Sequence, residues 1–74
     1  MMALGEIVLL TEELKGLEFG ELNNLDFDEG AEIPSEAYLR DINGNIQGIA
    51  TIDKGPCYVG GGKISCSYRV EKAD

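Results

Sequence analysis

The chain is predicted to be mainly β, or α+β if one short N-terminal helix forms, with a small antiparallel sheet or barrel-like meander of about five to six strands. Three observations lead there. The stretch KISCSYRVE, residues 63–71, alternates apolar and polar side chains without a break, the period of a half-buried strand. The pair Asn43-Gly44 sits between two apolar runs, a strong short-range hairpin signal because both residues tolerate positive φ. A run of three glycines, Gly60–Gly62, lies between CYV and that last strand, where a tight turn is expected.

From the N-terminus, GEIVLL reads as a strand because it is apolar and β-branched. TEELKG follows, with Thr11 as a cap, acids in the first turn and Gly16 as a stop, enough for one or two helical turns. LEFGEL and LDFDEG then repeat a Leu-acid-Phe pattern around Asn23-Asn24. Leu17/Phe19 and Leu25/Phe27 alternate as strands do, which predicts a weaker hairpin turning at the asparagines; one amphipathic helix over Thr11–Leu22 competes with it.

In the second half, strands are expected at 36–42, 46–53, 56–59 and 63–71. A three-residue loop at Asn43–Asn45 would set Ile42 opposite Ile46 and turn Tyr38, Ile42, Ile46, Ala50 and Ile52 inward. Gly48 on that face marks a bulge or a close backbone approach. In the last hairpin, apolar sets share a face only if paired residue numbers sum to an odd value. A Gly60–Lys63 loop pairs Val59 with Ile64 and Cys57 with Cys66, whereas a Gly60-Gly61 loop pairs Cys57 with Ile64. Both registers point the two cysteines toward the core.

Seventy-four residues make a single domain, 1–74, with an acidic half, 1–36, and a hairpin-rich half, 37–74. Residues 1–36 hold ten acids against Lys15 alone, and residues 37–74 hold four acids and five bases, so the net charge of −8 is carried by the first half. Such a balance argues against direct binding of nucleic acid or an anionic membrane, which need Lys and Arg to displace counterions. It favours encounter with a basic protein surface. The apolar run Ile7–Leu10 follows Glu6 and is too short for a signal peptide or a membrane span. A cytoplasmic location is therefore expected, where thiols stay reduced.

The motifs that would bring chemistry fail on particular positions. A phosphate loop ending at Gly62-Lys63 needs Gly at 57 and a hydroxyl at 64, but the chain has Cys57 and Ile64, and a strand rather than a helix follows. Two cysteines without a histidine do not make a zinc site, and their nine-residue spacing is not that of a redox Cys-x-x-Cys. DFDEG and DINGN each depart from the EF-hand pattern; the second has Ile46 where the loop needs glycine. Without histidine the commonest general base is missing, and no Ser or Cys has the context of an activated nucleophile. No enzyme and no cofactor is expected. Cys57 and Cys66 are either core thiols or a cross-strand disulfide, and the missing export signal favours thiols.

The sequence therefore points to a non-catalytic interaction or inhibitor protein binding a basic, nucleic-acid-binding surface of a larger protein. Glu18, Glu21, Asp26, Asp28, Glu29 and Glu32 would present charge in partial imitation of a phosphate backbone, with Phe27 among the apolar anchors. Phage-encoded anti-defence proteins and DNA mimics share this size and charge, an analogy of composition alone. The alternative is a structural or accessory subunit assembling through its sheet edges, including as a homo-oligomer.

Overall fold

The computed structural model describes residues 4–73. The strand β6 (Lys63–Lys72) organises it. Its strict alternation turns Ile64, Cys66, Tyr68 and Val70 inward, and Cys66, Tyr68 and Val70 are at most 1% exposed. On one flank β6 pairs antiparallel with β2 (Glu21–Asp28), from Asp28↔Lys63 to Glu21↔Val70. The other flank is shared. β4 (Ile46–Ile52) covers its later part, from Ile52↔Tyr68 to Gly48↔Lys72, and β5 (Tyr58–Gly60) covers its start, from Tyr58↔Ser65 to Gly60↔Lys63.

β3 (Glu36–Arg40) pairs antiparallel with β4, and β1 (Gly5–Val8) lies parallel along β3. The order β1-β3-β4-β6-β2 curls into a half-barrel that is 53% strand and 7% helix. The mainly β class is as expected, although the sheet is mixed rather than wholly antiparallel because of β1. β5 also does not sit between β4 and β6, as a simple meander would have it. It continues the line of β4 along the same flank of β6.

The concave side holds the core: Leu9, Leu25, Leu39, Ala50, Cys66, Tyr68 and Val70, with Ile7, Leu14, Phe27 and Ile33 among those packed against them. Each fully buried large side chain contributes about 1.5–3 kcal/mol by leaving water. Phe27 meets Tyr68 in a tilted aromatic pair, centroids 5.9 Å apart. The Tyr68 hydroxyl, carried into the interior, donates to the Pro34 carbonyl, and burial pushes its pKa up. No buried side-chain polar atom among the described residues lacks a partner.

Residues 11–22 follow neither of the two readings whole. α1 is a five-residue helix, Thr11–Lys15, preceded by Leu10, whose N–H donates to the Glu13 carboxylate at 2.9 Å; this is one arm of a capping box. The expected Thr11 cap is already inside the helix. The predicted hairpin at Asn23-Asn24 is also replaced, because both asparagines lie within β2. The reversal comes earlier, at Glu18–Glu21, where the Glu21 N–H reaches the Glu18 carbonyl. Asn23 turns its amide back onto that turn, accepting from the Glu18 N–H and donating to the Glu18 and Glu21 carbonyls.

The β3–β4 hairpin corrects a second expectation. Its register slips between Leu39 and Arg40, so Leu39 faces Gly48 while Arg40 faces Ile46. The extra residue, Gln47, is a bulge that reverses the inward parity of β3. Ala37 and Leu39 are therefore buried, while Tyr38 is only half-buried and Ile42 and Ile46 are exposed. Gly48 meets both of its expected uses: it borders the bulge, and a Cβ there would lie 2.5 Å from the Glu71 carbonyl oxygen.

Candidate docking surface: the acidic flank of β2

β2 places its residues by alternation. Leu25 and Phe27 face the core, so Asp26 and Asp28 project from the outer face, two residues apart and so about 7 Å apart along the strand. The turn before β2 exposes Glu18, β2 opens on the exposed Glu21, and the connection after it exposes Glu29 and Glu32. All six acidic candidates reach solvent: five lie on β2 or the turns adjoining it, and Glu32 lies further along the chain, on the groove near β1. Phe27 does not join them, because its ring belongs to the core beside Tyr68. An exposed apolar side chain on the same outer face is Leu22, which faces Arg69 across the ladder.

Three of the bases are engaged locally. Lys63 forms an ion pair with Asp28, directly opposite it in the ladder. That hydrogen bond, and then the Lys63 charge, hold the Asp28 carboxyl below its ordinary range. The same bond raises the Lys63 pKa, with smaller contributions from the charges of Asp26 and Glu13. Arg40 pairs with Glu6 across β1 and β3, and Arg69 donates to the Gly20 carbonyl. The Lys63–Asp28 pair is exposed and Arg40 in the other is half-buried, so the first is the one a partner's base can displace at little cost.

The field of Glu13 at Lys63 reveals residues that the sequence did not bring forward. α1 lies beside β2, and a cleft of about 270 Å³ between them is lined by Leu9, Glu12, Glu13, Leu17, Asn24 and Asp26, among others. Helical spacing alone gives no hint that Glu12 and Glu13 line a cleft with Asp26, because that placement depends on how the chain folds back after α1. A larger open groove of about 780 Å³ lies near β1, where Glu6, Glu32 and Glu36 rim the apolar Ile33, Pro34 and Ile52.

The other motifs resolve into structure. The Asp41 carboxylate accepts from the Asn43 and Asn45 backbone N–H groups, both at 2.9 Å, and from the Gln47 amide. The Asn45 bond, foremost among these, holds its pKa down. DINGN is thus a turn closed by its own aspartate. Gly61 and Gly62 both have positive φ, +60° and +78°, as a tight two-residue hairpin turn demands. Cys57 and Cys66 are joined in a disulfide across β5 and β6, with Cα atoms 4.4 Å apart.

The expectation of free thiols is therefore overturned, and so is the inward placement of Cys57. The odd-sum register did form, putting the cysteines directly opposite each other at the distance of a non-hydrogen-bonded pair. Only Cys66 is buried, because none of the described residues covers β5. Among the described residues no group of three or more His, Cys, Asp or Glu side chains is placed to hold a metal ion. No helix among them is long and apolar enough to cross a membrane. Comparison with protein-family models, curated proteins and solved structures finds no match to the chain.

Proposed function

We propose that this is a non-catalytic inhibitor or interaction protein whose acidic flank, β2 with its two turns, docks on a basic, nucleic-acid-binding surface of a larger protein. One observation carries the reading: the ladder with β6 and the inward Leu25 and Phe27 fix Asp26 and Asp28 on an ordered strand, with Glu18, Glu21 and Glu29 exposed at its ends and Glu32 exposed further along the chain. Charges held in place lose less side-chain freedom on binding than charges on a loose tail. They also steer encounter with a basic partner. The cytoplasm suits such an inhibitor, and a disulfide there is in exchange with cellular dithiols.

The test is capture from the source cell followed by mass spectrometry. The wild-type chain should retain a protein with a basic surface, and the triple variant Asp26→Asn/Glu29→Gln/Glu32→Gln should lose it. A control that neutralises two acids away from this flank, Asp53→Asn/Glu71→Gln, should keep it. Equal retention by all three chains, or equal loss from both variants, would remove the reading.

A second reading is assembly through sheet edges, as a structural or accessory subunit. It is favoured by the outer flanks of β1 and β2, at the two ends of the strand order, with which no strand pairs among the described residues. Like charges at Asp26 and Asp28 oppose self-pairing along β2. Self-association in sedimentation that is indifferent to salt would favour this second reading.

A further inference from the structure

We propose that the Cys57–Cys66 bridge is a thiol-exchange site, attacked at Cys57 by a dithiol, and that its opening releases β5 while the rest of the sheet stays folded. The bridge joins two unlike environments. Cys66 is 1% exposed, a member of the core cluster beside Leu25 of β2, whereas Cys57, just before β5, is exposed. An incoming thiolate therefore has access to one end only, and access decides which sulfur is attacked.

The rest of β5 supplies nothing to hold it in place. Tyr58 is 72% exposed and Val59 66%, and neither belongs to the core cluster. Three ladder positions and the disulfide are what join this strand to β6. Segments with few buried contacts and exposed backbone hydrogen bonds open at low local free energy.

The exchange balances without any group the protein lacks. One thiolate of the dithiol bonds to the Cys57 sulfur as the Cys57–Cys66 bond breaks. Cys66 departs as a thiolate and takes a proton from solvent. The second thiol of the reagent, deprotonated, then displaces Cys57 from the mixed disulfide and closes the reagent's own disulfide. Cys57 takes up that proton, so the protein gains two electrons and two protons while the dithiol loses them. Opening also uncovers the flank of β6 at Lys63–Ser65, which β5 alone covers. That flank is the kind of unpaired edge to which another strand can add.

The test uses the full chain in non-denaturing buffer, oxidised with a glutathione redox pair and then treated with dithiothreitol. Maleimide pulses with peptide mapping should label Cys57 at least roughly tenfold faster than Cys66, because burial shields the second thiol. Amide exchange should speed up at residues 58–60 and 63–65, with protection kept at Leu25, Tyr68 and Val70. The variant Cys57→Ser should reproduce this exchange pattern without reductant. Four results would each overturn the proposal: no bridge after oxidation, no reduction without denaturant, equal labelling of the two cysteines, or protection lost across the sheet.

Discussion

Along one flank of β6, β2 pairs for eight residues, sinks Leu25 and Phe27 into the core and carries acids on its outer face. Along the other, β5 pairs for three residues, buries no side chain and is joined by a disulfide. Both are strands by their hydrogen bonds, yet burial holds one and a covalent link holds the other. The difference suits two tasks: a surface that must present fixed charges belongs on the anchored flank, and a part that is to open belongs on the latched one.

The comparison breaks most plainly at its anchors. Leu25→Ala should destabilise the fold by about 2–5 kcal/mol, the cost of a cavity in a tight core. That is a large share of the stability of so small a domain, and chemical denaturation will read it. Tyr68→Phe leaves the Pro34 carbonyl without its donor and should cost about 1–3 kcal/mol in the same measurement.

Loss of the disulfide sharpens the contrast. A loop this short should give about 2–3 kcal/mol if the bridge constrained only the unfolded chain. Because a released β5 regains freedom in the folded state too, the measured loss for Cys57→Ser should fall below that figure. Val59→Ala, on the same strand, should stay within about 0.5 kcal/mol of wild type.

A pH series adds a smaller effect at the other hairpin. The folded-state pKa of Asp41 lies below its ordinary value of 3.8, chiefly through the Asn45 amide. Its contribution is therefore fully present above that value and is lost as the pH falls through the lower folded one. Asp41→Asn should flatten the acid limb of the stability profile between those two values.

These contrasts also mark what could be read from the residues. β6 was legible because its alternation is strict and neighbours cover its inner face. The β5 register was legible too, since parity alone puts Cys57 opposite Cys66. Its burial was not, because pairing fixes the direction in which a side chain points and says nothing about whether another element covers it. The inward face of β3 was misread because a single extra residue, Gln47, reverses a two-residue period. Asn23-Asn24 has turn chemistry in isolation, but the long ladder with β6 outweighs it, and Asn23 uses its amide on the preceding turn instead. The parallel β1–β3 pairing leaves no local mark. For the candidate surface, exposure of the six acids followed from their chemistry, while the withdrawal of Phe27 and the approach of Glu12 and Glu13 required the folded chain.

Recognition of a partner through charge on the β2 flank is tested by the partner's affinity measured across a range of salt concentrations. Affinity should fall steeply as salt rises, with a clearly shallower slope for Asp26→Asn/Glu29→Gln/Glu32→Gln. An affinity that is the same at low and high salt, and the same for wild type and the triple variant, would contradict the claim.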